Sequence, residues 1–287
     1  MMKTLACWAV AALTYFSSLL TMSPPLELHE ALEKGYVTLE VVGAGGYNGD
    51  CLKVKLENLH RRSLAVVVPA GQIFEPGDSS LQNIMVAKEE TILVEKGQHR
   101  IAKLFGFCVE AGDGSPGKET PFRVGKMATG NLLAFARYLS NEQRYKNEYA
   151  QSAVWAVSDD ERLEGIGDAA LANYLADMLD KPRPQYNVQY RQPDQSRILP
   201  GTPVRHLQEA FSMNGLFYYT LDRDRMVNFE IYDETGERVH AFYENRRQKR
   251  GYHKFRFEFE ISGLDPGKYF ARLTSGGETI EELGVEF

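Results

Sequence analysis

A strand cysteine and a helix glutamine are the side chains here with the clearest capacity for chemistry. Cys108 lies in Leu104-Phe105-Gly106-Phe107-Cys108-Val109-Glu110, a run that reads as a β-strand. Gln151 lies in Tyr149-Ala150-Gln151-Ser152-Ala153-Val154-Trp155, a helical run whose apolar face carries that one amide. A thiolate is a good nucleophile and a side-chain amide a poor electrophile. Reaction between them needs a fold that presses the two together and keeps water out. Cys108 has a second candidate partner in Cys51. The remaining cysteine, Cys7, falls in an N-terminal stretch that reads as a removable leader. Two cysteines in an exported chain suggest a disulfide. A Cys51–Cys108 bridge would pin two strands at a gain of ~2–4 kcal/mol. A third reading makes both of them inert buried thiols, which behave as small hydrophobes. Bonding to Cys51 and bonding to Gln151 exclude each other, because each consumes the one sulfur of Cys108.

Other chemistry is sparse. The six histidines, at 29, 60, 99, 206, 240 and 253, are scattered without zinc-ligand spacing. Asp222-Arg223-Asp224 has too few oxygen ligands for a calcium loop. Gly43 to Gly49 is glycine-rich but leads into a strand pattern, not a helix, so it is no phosphate loop. No serine nucleophile elbow is present. Paired carboxylates that meet only in space leave no trace in a sequence. Arg246, Arg247, Lys249 and Arg250 form a compact basic loop. It reads either as a contact for an anionic polysaccharide or lipid head group, or as a solvated hairpin tip. No catalytic residue, metal ligand or cofactor is assigned. With a formal net charge of −6 over 287 residues, the chain does not read as a nucleic-acid binder.

The elements that must position Cys108 and Gln151 follow from periodicity. Residues 1–23 read as a secretory signal, with Lys3 before an apolar stretch from Leu5 to Leu20. Leu26 to Lys34 predicts a short amphipathic helix ended by Gly35. From Tyr36 onward, strand-like runs recur every ten residues or so. This predicts an antiparallel, immunoglobulin-like sandwich over 26–126, with Cys108 on its last strand. A helical block over 127–181 follows. Its first helix is capped by Thr129, its second carries Gln151, and its third runs from Asp168 to Leu179. The block is expected to pack on the sandwich. Residues 182–203, rich in proline and glutamine, read as an interdomain linker. A second sandwich is expected over 204–287. The fold class is thus mainly β with a helical block: two β-sandwich domains joined by three helices and a linker.

Two stretches carry resemblances. Phe229-Glu230-Ile231-Tyr232-Asp233-Glu234-Thr235-Gly236-Glu237-Arg238-Val239, then Gly251-x-His253-x-Phe255 and Leu264-Asp265-Pro266-Gly267-Lys268-Tyr269-Phe270, resemble the fibronectin/FlgD-like C-terminal sorting domain of the type IX secretion system of Bacteroidota. The chain departs from that pattern by ending in Glu286-Phe287 in place of a lysine-bearing strand. Phe107-Cys108-Val109-Glu110 and Ala150-Gln151-Ser152-Ala153-Val154-Trp155 resemble the cysteine and glutamine motifs of bacterial thioester adhesin domains, with Ala150 and Val154 standing where threonine and isoleucine are usual. The second resemblance implies a Cys108–Gln151 thioester that acylates an amine or hydroxyl on a surface. Together they imply an exported, non-enzymatic protein, secreted or at the cell surface. It would have an adhesion module, a sorting or structural module, and a surface protein or polysaccharide as partner. It would meet the membrane only through the export machinery. The competing expectation is an extracellular enzyme acting on surface glycan.

Overall fold

A computed structural model describes residues 24–287, so the expected signal segment at 1–23 lies outside the described residues. The chain is mainly β. It divides into two compact units, the first running to Asp159 and taking back residues 193–206, the second formed by residues 160–192 and 207–287.

The first unit begins with β1 (Leu26–Glu27) and α1 (Leu28–Glu33). Eight strands follow: β2 (Val37–Ala44), β3 (Asn48–Asn58), β4 (Leu64–Val68), β5 (Gln72–Pro76), β6 (Ile84–Val86), β7 (Glu90–Val94), β8 (His99–Cys108) and β9 (Lys118–Met127). Helices α2 (Gly130–Asn141) and α3 (Ala150–Ser158) complete it. The pattern of β3 shows how the strands arise. Leu52, Val54 and Leu56 are buried while Lys53 and Glu57 face out, the period-2 signature of a strand with one wet face. The expected sandwich over 26–126 is not what these strands build. Six of them close into a barrel in the order β2-β3-β8-β6-β5-β9, because β2 pairs with β9 as well as with β3. The other three form a separate sheet, β1-β4-β7. One core serves both: Leu64, Val66, Ile92 and Val94 of the small sheet join Leu52, Val54, Phe74 and Leu104 of the barrel.

The second unit holds α4 (Ala169–Met178) and seven strands: β10 (Tyr186–Arg191), β11 (Glu209–Leu221), β12 (Arg225–Asp233), β13 (Arg238–Gln248), β14 (Gly251–Glu260), β15 (Lys268–Ser275) and β16 (Glu278–Glu286). They make one sheet in the order β10-β11-β14 and another in the order β13-β12-β15-β16. Phe217 and Phe257 from the first sheet and Phe229, Ile231 and Leu273 from the second share one core. Phe229 is its centre, with the ring centroids of Phe217, Phe255 and Phe242 at 4.6, 4.9 and 5.1 Å.

Two expected boundaries move. The helical block does not stay together, since α2 and α3 fold with the barrel and α4 with the second unit. The expected linker at 182–203 is structured. Its first half is β10, paired with β11 from Tyr186↔Gly215 to Arg191↔Glu209. Its second half belongs to the first unit.

Candidate functional site

Cys108 is the last residue of β8, where the ladder pairs it with Ile84 of β6. Gln151 is in the first turn of α3, on a helix whose Ala150, Ala153, Val154, Trp155 and Ala156 are also buried. The chain reaches that turn through a break. Gln143 adopts a left-handed conformation (φ 53°) after α2, a short 3-10 turn follows at Arg144–Lys146, and the side chain of Asn147 accepts the Tyr149 N–H at 2.8 Å. Phe105 from β8 meets Tyr145 of this connection edge-on, with centroids 5.0 Å apart.

These elements bring Cys108 and Gln151 together. The Gln151 Nε2 donates to the Cys108 carbonyl at 2.8 Å, and its Oε1 accepts the Cys108 N–H at 3.2 Å. The same N–H also donates to the Tyr47 carbonyl at 3.0 Å. A buried amide that uses both its donor and its acceptor on one residue's main chain acts as a short extra rung beside the strand. Both residues are shut off from solvent, Cys108 at 0% and Gln151 at 1% exposure. Burial, first of all, pushes the Cys108 thiol well above its ordinary pKa, and the neighbouring Cys51 and Glu110 add to the effect. Burial likewise pushes Cys51 up to about 12. Both sulfurs therefore stay protonated thiols at neutral pH.

The expected Cys51–Cys108 disulfide is not formed: both cysteines are free. The register sets where each one sits. Gly49 pairs with Gly106 and Leu52 with Leu104, so Asp50 and Cys51 bulge opposite Phe105. Cys108 lies farther along the strand, opposite Asn83 and Ile84 on its other side.

Two parts of the site carried no sequence signal as site residues. Tyr47, from the turn between β2 and β3, is 1% exposed and stacks near Trp155, with ring centroids 6.3 Å apart. Burial pushes its hydroxyl up to about 12. The second part is the strap of residues 193–206. The Gln195 side chain bonds the Asn48 side chain, while Ser115 N–H donates to the Thr202 carbonyl and Gly201 N–H to the Ser115 carbonyl, each at 2.9 Å. The strap passes so close that a Cβ on Gly114 would lie 2.6 Å from the Gly201 Cα. The glycine run at 43–49 and the Pro200-Gly201 pair were the only hints of it in the sequence. On α3, Trp155 lies one turn beyond Gln151, on the same face. Its indole Nε1 is buried and has no hydrogen-bond partner among the described residues.

The basic quartet sits where β13 turns into β14. Arg247 pairs with Asp224 at 3.3 Å, and Asp224 also accepts the Arg250 N–H at 3.0 Å. The Arg246 guanidinium lies 5.1 Å from the Tyr243 ring centroid. A groove of about 900 Å³ runs between β7 and β8, with Glu90 and Glu95 in its lining, and Glu90 pairs with Lys88 at 2.7 Å. No cluster of histidine, cysteine and acidic side chains suited to a metal ion occurs among the described residues. No helix among them is long and apolar enough to cross a membrane.

No protein-family model matches the chain, and no curated protein matches it. Among solved structures, a crystal structure of red sea bream transglutaminase aligns at 10% identity with a TM-score of 0.20. That alignment covers 90% of this chain and 32% of that one, so the chain spans about a third of that protein's length. A TM-score this low carries no argument about fold or activity.

Proposed function

We propose that the chain is an exported, non-enzymatic surface protein. The barrel unit is its adhesion module, armed by an internal thioester between Cys108 Sγ and the Gln151 side-chain carbon. The second unit, with its two facing sheets, serves as a sorting or structural module of the fibronectin-like kind. The observation that supports this reading is the Gln151 amide held on the Cys108 main chain in a core closed to solvent.

In the forming step, the Sγ–Cδ bond is made and the Gln151 C–N bond breaks. The thiol proton leaves with the nitrogen as ammonia. Because burial keeps Cys108 a thiol, attack and proton transfer must be coupled. The Cys108 N–H, which already donates to the Gln151 Oε1 at 3.2 Å, is the donor in place for a developing oxyanion. Exclusion of water then protects the thioester from hydrolysis. In the using step, an amine or hydroxyl of a surface protein or polysaccharide attacks the carbonyl carbon. The C–S bond breaks, Cys108 regains its thiol, and the target is left acylated by Gln151. Both residues are buried, so a target reaches them only if a covering element moves; the turn bearing Tyr47, tied through Asn48 to Gln195, is the element we assign to that movement.

Intact mass of the purified chain tests the reading. A thioester lowers the mass by one ammonia, and methylamine abolishes the deficit by adding to the chain. Cys108→Ala and Gln151→Ala should each show no deficit. An unshifted wild-type mass sinks the thioester and leaves Gln151 as a structural clamp on β8.

A further inference from the structure

The outer face of the β10-β11-β14 sheet carries features that neither the barrel chemistry nor the core of the second unit uses. Register places Thr220 opposite Tyr252, Tyr218 opposite Lys254, and Leu216 opposite Arg256. All six side chains are on one face, because the alternate residues Phe217, Tyr219 and Phe257 point into the core. Tyr252 is 68% exposed and Tyr218 38%. Their rings are nearly parallel, at 22°, with centroids 6.1 Å apart. Two large rings left in water beside each other forfeit burial that the fold provides elsewhere, and such a patch marks a binding surface.

The charges beside the rings point the same way. Most arginines of this unit are neutralised: Arg225 by Asp222, Arg238 by Glu230 and Glu244, Arg272 by Glu282, Arg183 by Asp177. Lys254 and Arg256 have no carboxylate partner among the described residues, and Lys254 Nζ hovers 5.7 Å from the Tyr218 ring centroid. Lys249 and Arg250, in the turn that leads directly to Tyr252, have no side-chain ion pair among the described residues either.

We propose that this face binds an anionic polysaccharide, with sugar rings lying on Tyr218 and Tyr252 and sugar carboxylates or sulfates meeting Lys254, Arg256 and the Lys249-Arg250 turn. Sparse cations around two rings suit a polymer with one charge every sugar or two. A nucleic acid carries a phosphate on every residue and would face a chain of net charge −6 with few neutralising contacts. This site does not depend on the thioester, so it stands or falls separately.

Binding of the full-length protein to hyaluronan, dextran and a single-stranded oligothymidine, measured by biolayer interferometry at low and physiological salt, tests the proposal. Wild type should bind hyaluronan, bind it less as salt rises, and ignore dextran. Tyr218→Ala/Tyr252→Ala and Lys254→Gln/Arg256→Gln should each weaken binding by about tenfold or more, as loss of anchor residues does. All four positions face solvent, so unfolding midpoints should stay at the wild-type value and separate lost binding from lost folding. Cys108→Ala should bind hyaluronan as wild type does. The proposal is overturned if hyaluronan does not bind, if binding survives both double substitutions, or if oligothymidine binds more tightly.

Discussion

The two units treat their reactive and polar side chains differently. The barrel unit buries them: Cys51, Cys108, Gln72, Gln82, Gln151 and Asn58 are all at 1% exposure or less. The second unit builds its core from rings packed on Phe229 and ties several of its arginines to carboxylates. A buried amide or thiol costs stability unless its hydrogen bonds are met, so each one in the barrel core is a place where packing has been traded for specificity or chemistry. The aromatic core carries less of this cost, its buried polar side chains being Asn187, Ser212 and Glu230.

Reactivity gives the widest separation between the two. With Cys51 raised from 9.0 to about 12, its thiolate fraction at neutral pH falls by roughly a thousandfold against an ordinary thiol. Iodoacetamide should leave Cys51 and Cys108 of the native protein unlabelled, and denaturant should release them. The thioester reading makes a finer prediction. After denaturation without a nucleophile wash, Cys51 labels at once, whereas Cys108 labels only after methylamine or hydrolysis has freed it. Equal labelling of both on unfolding would leave Gln151 a clamp and nothing more.

Core substitutions come next. Phe229→Ala removes a ring that is fully buried and touches Phe217, Phe242 and Phe255. It should destabilise the second unit by about 3–5 kcal/mol, read by urea unfolding. Gln151→Ala removes both contacts to the Cys108 main chain and should cost the barrel unit about 1–3 kcal/mol. If Gln151→Ala costs as much as Phe229→Ala, the excess reports a lost covalent crosslink, which the mass measurement would detect independently.

These contrasts were unevenly legible in the sequence. The alternation of Leu52, Val54 and Leu56 marks β3, and the two short motifs bring Cys108 and Gln151 to one seam. Barrel closure was hidden because it depends on β2 pairing with β9, a long-range choice that no local pattern records. Strand β10 was hidden by its neighbours. Pro182, Pro184 and Pro193 gave the stretch the look of a linker, although Tyr186, Asn187 and Val188 are buried in sequence. The strap was hidden for the same reason, since its role rests on close backbone passage at Gly114 and Gly201. The expected disulfide rested on cysteine counting alone, and in the fold Cys51 and Cys108 are both free.

The smallest effect separates two helix starts, one in each unit. Thr129 precedes α2 and Asp168 precedes α4, and both residue types are favoured N-caps. Only Asp168 makes the bonds, its Oδ1 accepting the N–H groups of Ala170 at 2.8 Å and Leu171 at 3.0 Å. The Thr129 side chain makes no cap bond, and the helix after it begins at Gly130 with φ 55°. Asp168→Ala should therefore cost the second unit about 1 kcal/mol, while Thr129→Ala should change the barrel unit by less than about 0.5 kcal/mol. Hydrogen exchange at the first-turn amides of each helix reads the difference directly. Ala170 and Leu171 should lose protection when Asp168 is replaced, and Leu132 and Leu133 should be indifferent to the loss of Thr129. Equal effects at both starts would mean that residue type alone sets the cap, and that the geometry around each helix start contributes nothing.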